Sequence, residues 1–128
     1  MSDDHGLEEA RSQFEKIAGL VLALQSDDVF ARKDAEKRIH EDALKVMIRS
    51  SWHEPGRDYV HVPIEYCILL CSAGPGVRIV GDLNKYGEPV SARIEHQEWF
   101  YPFETWVGNC GSVEKILLPY ARCFNFGD

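Results

Sequence analysis

Leu7, Ala10, Phe14, Ile17, Val21 and Leu24 recur at three- and four-residue intervals. That spacing predicts an amphipathic helix over residues 7–25. Glu8 and Glu9 fall in its first turn, where the helix dipole favours negative charge. Gly19 costs about 1 kcal/mol against alanine there and would permit a close helix crossing. Ser26-Asp27-Asp28 then restarts a helix, with Ser26 or Asp27 as N-cap. Ala31, Ala35, Ile39, Ala43 and Met47 continue one narrow face to Arg49, so the helical part is expected to fill residues 1–50. The face is thin in large residues, and Arg32–Asp42 predicts a wide charged surface.

After the turn Trp52-His53-Glu54-Pro55-Gly56 the period changes from 3.6 to 2. Ile64–Ser72 sets Ile64, Tyr66, Ile68 and Leu70 against Glu65, Cys67, Leu69 and Cys71. Val77–Asn84 sets Val77, Ile79, Gly81 and Leu83 against Arg78, Val80 and Asp82. Val90–Trp99 sets Val90, Ala92 and Ile94 against Ser91, Arg93, Glu95 and Gln97. Ala73-Gly74-Pro75-Gly76 and Lys85–Pro89 are turns by composition. Such alternation marks an antiparallel sheet with one buried and one mostly wet face. Beyond Pro102 a loop is expected through Trp106 to Gly111. A last helix over 112–124 follows, which Pro119 should kink or divide. The expected architecture is α+β: two helices, a three-stranded antiparallel meander within 64–106, and a C-terminal helix, in the order ααβββα.

At 128 residues the chain is a single domain by length, large enough for its own core. Its start has no basic and apolar leader pattern, and its apolar runs are far shorter than a membrane span, so a cytoplasmic location is expected. Residues 1–50 hold 11 acids and 8 bases, and residues 51–128 hold 10 and 6, for a net charge of −7. An acidic field repels a phosphate backbone, which argues against direct nucleic-acid binding and for a partner with a basic surface. Excess acid also simply keeps small proteins soluble.

No nucleophile elbow, phosphate-binding loop or HExxH helix is present. Gly74 and Gly76 lead into a strand, where a hairpin turn is the expected role. Cys67 and Cys71 lie four residues apart on one strand, roughly 13 Å at strand rise. That separation suits neither a disulfide nor two ligands of one tetrahedral metal. No CxxC occurs, so neither metal nor cofactor is expected. An enzyme would require His96, Glu98 and a cysteine or Asp82 to meet in a pocket, and His96 has the parity of the buried face. Arg78, Arg93 and Glu95 share the outer face of adjacent strands, where cross-strand ion pairs are expected.

Trp99, Phe100, Tyr101, Phe103 and Trp106 crowd into eight residues beside Glu95, Glu98 and Glu104. Two or three of these rings can close the end of the core. Any left outside would form an aromatic anchor with an acidic rim, the composition of a protein-binding hot spot. The candidate partner contacts are therefore Glu95, Glu98, Trp99, Tyr101, Glu104 and Trp106.

The run YCILLCSAGPGVRIVGDLNKYGEPVSARIEHQEWFYPF, with FNFGD at the C-terminus, resembles a family of small uncharacterised proteins of bacteriophages and mobile elements. Its pattern is an EILLSTGGP-like strand and turn, a VRI-G-L strand, a YQDW-TPW-like end and a closing FYFGE. Gly74, Pro75, Arg78, Ile79, Gly81, Leu83, Gln97, Trp99, Pro102, Phe124, Phe126 and Gly127 agree in place. Ala73 stands for the first turn glycine, His96 for a tyrosine and Phe103 for the final tryptophan. The resemblance covers the C-terminal half and brings no catalytic residue. It implies a genomic setting in which small acidic proteins inhibit host defence, anti-CRISPR proteins among them. The expectation is a non-enzymatic inhibitor that covers a basic nucleic-acid-binding surface of a CRISPR effector. The alternatives are a structural or regulatory module, with dimerisation through the second helix, and a small enzyme.

Overall fold

A computed structural model describes residues 5–50, 52, 54–55, 63–72, 76–97, 102–106 and 113–126. Two helices, α1 (His5–Leu24) and α2 (Val29–Asp42), precede strands β1 (Lys45–Ser50), β2 (Pro63–Cys71), β3 (Gly76–Asp82), β4 (Arg93–Gln97) and β5 (Glu104–Trp106). Helix α3 (Val113–Ala121) closes the chain. The strands form one antiparallel sheet in the order β1-β2-β3-β4-β5. The class remains α+β, but the expected three-stranded meander is a five-stranded one.

Both additional strands have a physical origin. The second helix does not run on to Arg49: it ends at Asp42, and Ala43 is already extended, with ψ 125°. Continued as a helix, 43–49 would put Ala43, Val46 and Met47 on the apolar stripe and leave Leu44 and Ile48 off it. As a strand, with β-branched residues at alternate positions, the same segment pairs Val46 with Ile68 and Ile48 with Tyr66. The loop expected after Pro102 holds β5, which sets Trp106 beside Ile94 and Glu104 beside His96. A three-residue strand is too short to show a period.

Smaller differences concern the ends. Asp28 is the N-cap of α2, its Oδ1 accepting from the Phe30 amide at 2.9 Å, while Ser26 Oγ accepts from the Asp28 amide. Helix α3 is one nine-residue segment with Pro119 inside it.

The inner face carries one register row, Val46–Ile68–Ile79–Ile94–Trp106. Ile68, Ile79 and Ile94 are fully buried. Helix α1 lies over β3, β4 and β5 and also packs on α2 and α3, contributing Ala10, Ile17, Leu20 and Val21 to the core. Leu117 and Tyr120 of α3 and Ile39 of α2 complete it. After α3 the tail turns back: the Phe126 ring lies 4.8 Å from that of Tyr66, and Phe124 lies between Phe126, Tyr120 and His40.

The β3–β4 connection is built on Asn84, whose Oδ1 accepts from the amides of Tyr86 and Glu88. Gly87 takes the left-handed conformation that the turn needs, at φ 78°. The returning chain crosses Gly81 closely: a Cβ there would stand 2.0 Å from the Ser91 carbonyl oxygen and 2.8 Å from the Tyr66 hydroxyl. Tyr66 Oη donates to that same carbonyl at 2.6 Å.

Gly81→Ala must displace this crossing, and we expect it to cost about 2–3 kcal/mol in urea unfolding. Two tyrosines give a sharper contrast. Tyr66→Phe deletes a hydrogen bond and is expected to cost about 1 kcal/mol. The Tyr120 hydroxyl is buried with no partner among the described residues, so Tyr120→Phe should leave stability unchanged or raise it.

Candidate binding face

The helices and the aromatic tail cover one side of the sheet. The other side carries Met47, Cys67, Val80 and Arg93 in one register row and Lys45, Leu69, Arg78, Glu95 and Thr105 in the next. No helix is among the elements packed against this side in the described residues. Met47 is exposed, and Cys67, Leu69 and Val80 are half-buried. Together these side chains form an apolar floor.

Charged pairs frame the floor. Glu95 is held at both oxygens: Oε1 accepts from Arg78 Nε at 2.8 Å, with Arg78 Nη2 also 2.8 Å away, and Oε2 accepts from Arg93 Nε at 3.1 Å. Its side chain is only 12% exposed. The Arg78 guanidinium carbon also lies 3.7 Å from the centroid of the Phe103 ring, and a Cβ at Gly76 would stand 3.4 Å from that ring. One arginine thus joins β3, β4 and the segment before β5 by a charge-assisted bond and a cation–π contact. On the β1 side Arg49 pairs with Glu65 across the strands. Between the two sets lies a shallow depression of about 240 Å³ floored by Met47, Cys67 and Val80.

The sheet distributes the expected contact residues unevenly. Glu95 faces the outer side but is engaged by two arginines of its own chain. Trp106 faces inward and packs on Phe14, with ring centroids 5.0 Å apart. Glu104 is exposed on β5. Glu98, Trp99 and Tyr101 lie outside the described residues, as do Cys110 and the turn at 73–75. Within the described residues, therefore, Glu95 and Trp106 do not combine with Glu104 into one anchor.

Arg49, Glu65, Met47 and Val80 were not singled out from sequence, and Cys67 only as a cysteine unsuited to a disulfide or a metal. The outer parity of Cys67 and Val80 is plain from the alternation. What hid the site was the assignment of Met47 and Arg49 to a helix.

The chemistry of the face is that of contact. Burial pushes the Cys67 thiol up from its ordinary range, with Glu95 adding to the effect and Arg78 opposing it. Cys67 is therefore a protonated, weakly nucleophilic thiol at neutral pH. His96 is buried on the helix-covered side, whereas Asp82 belongs to the outer parity of β3. Those two candidate acid/base groups point to opposite faces of the sheet. Among the described residues no three histidine, cysteine or acidic side chains are grouped to hold a metal ion, and no helix is long and apolar enough to cross a membrane.

Comparison with protein-family models, with curated proteins and with solved structures gives no match to this chain.

Removing Glu95 leaves two partly buried guanidinium groups facing each other, so Glu95→Ala is expected to destabilise the fold by about 1–2 kcal/mol. A double-mutant cycle of Arg78→Ala with Glu95→Ala should return a coupling of about 1 kcal/mol, since Arg78 is one-third exposed. Additive effects in that cycle would show the pair to be energetically idle.

Proposed function

We propose that this chain is a non-enzymatic protein-binding module that acts through the side of its sheet opposite the helices. One observation carries the reading: an apolar floor of Met47, Cys67, Leu69 and Val80, framed by internally paired arginines and glutamates. That layout matches a protein interface, with an apolar centre and a polar rim. The rim is already organised, so a partner would not have to immobilise those long side chains.

The kind of partner follows from charge and from the family resemblance. Arg49, Arg78 and Arg93 are engaged by two carboxylates of their own chain, Glu65 and Glu95, and the long-range field is set by the surplus of carboxylates behind the net charge of −7. Such a field steers the protein toward a cationic macromolecule. The resemblance of the C-terminal half to small phage and mobile-element proteins supports an inhibitor of host defence. Within that class the target is the basic nucleic-acid-binding surface of a CRISPR effector complex. Glu104, exposed on β5, pairs with His96 and so has the parity of the other face; it is not a contact of this floor.

The test is binding of the purified chain to purified CRISPR effector complexes, with and without saturating target DNA. Saturable binding that target DNA displaces, and that weakens as salt is raised, is the expected result. Val80→Asp should lower affinity about tenfold or more while leaving the circular dichroism unchanged. Absence of binding to any effector would remove the inhibitor reading. Binding indifferent to Val80→Asp would remove the sheet face as its surface.

A further inference from the structure

Among the described residues strand β1 stands at the edge of the sheet, with β2 its only strand neighbour. Helix α1 reaches β3, β4 and β5, and the aromatic tail reaches Tyr66 on β2. The inner side of β1 therefore extends past the cover that protects the rest of the sheet. On that side Val46 is 39% exposed and Ile48 52%, and Leu44, immediately before the strand, is 59% exposed. Ile64 on β2 continues the stripe at 41%. An unpaired edge with an apolar stripe is a template for another strand.

We propose that this edge pairs with the same edge of a second copy, antiparallel about a two-fold axis through Val46, giving a continuous ten-stranded sheet. The choice of partner and of register comes from the sequence of the strand. Opposed residues in an antiparallel pair share a face, so a two-fold axis must pass through a residue and its own mate. About Val46, Leu44 meets Ile48 of the other copy, Val46 meets Val46, and Lys45 meets Met47, whose thioether packs on the lysine stem. The apolar stripe is thus its own complement. About Met47, Lys45 would oppose Arg49, two cations in direct contact. About Ile48, Val46 would meet Ser50, and Leu44 would oppose position 52, beyond the end of the strand at Ser50. The edge lysine, ordinarily a guard against strand pairing, here selects a single register. Six-residue edges bury little area, so the association is expected to be weak and reversible, in the micromolar range.

Cysteine scanning along β1 tests both the contact and its register. Residues on the two-fold axis have α-carbons about 4.5–5.5 Å apart, within disulfide reach. Positions 47 and 47 of the two copies lie roughly 8 Å apart on the diagonal, beyond it. Under mild oxidation Val46→Cys should form a covalent dimer far in excess of wild type, which controls for the native cysteines, and Met47→Cys should not. Sedimentation velocity of the wild type should show a monomer–dimer equilibrium, and Val46→Lys, which sets two ammonium groups face to face, should abolish it. A wild-type chain that stays monomeric into the high micromolar range overturns the proposal. So does a cross-link no stronger at 46 than at 47. Should Val46→Lys fail to fold, the oxidation series decides alone.

Discussion

The inner register row Val46–Ile68–Ile79–Ile94–Trp106 is the constraint on which the other features depend. Side chains alternate between faces with a period of two, so a slip of one residue in any pairing would turn a buried isoleucine outward and a charged residue inward. Three fully buried isoleucines in a line, capped by α1, make that slip prohibitive. The same row fixes the other face. Once Ile79 and Ile94 point inward, Arg78 and Glu95 must stand side by side outside, and Val80 must stand beside Cys67. The charged rim and the apolar floor are consequences of how the core is registered.

Gly81 adds a second, local constraint. The chain leaving β3 has to recross it to enter β4, and the Ser91 carbonyl occupies the space where a side chain would be. Tyr66 then reaches under the crossing to bond that carbonyl, which ties β2 to a segment it does not otherwise pair with. From Asn84 through Gly87 the turn residues serve this return. It keeps the β3–β4 pairing in register although the connection is longer than a tight hairpin.

Much of this architecture was legible in the residues, for reasons of length. β2, β3 and β4 are long enough for the two-residue period to appear, and the ion pairing of Glu95 followed from parity alone. β1 was misread because Ala43 and Met47 happen to continue the helical stripe of Ala31, Ala35 and Ile39. The contrary signal is Leu44 and Ile48, two large apolar residues that a helix would leave on its charged side. β5 offered three residues, too few for any period. The inward packing of Trp106 on Phe14 depends on the chain returning across α1, a tertiary event that no local pattern encodes. The aromatic block consequently looked more available for a partner than Trp106 is.

The misreading of α2 and the exposure of β1 share one cause. A helix whose inward residues include only Ala35 and Ile39 as buried apolar groups cannot cover much sheet, and it packs on α1 instead. Helix α1 is committed to the opposite half, over β3 to β5. Two helices of this composition protect fewer than five strands, and the strand left over is the one nearest α2 in sequence. The exposed side chains of Leu44, just before it, and of Val46 and Ile48 are a cost to an isolated chain, because each leaves apolar area in water that a fuller helix would have removed. The thinness of α2 and the aliphatic content of β1 are therefore better understood together, as the two sides of an edge left open for another strand.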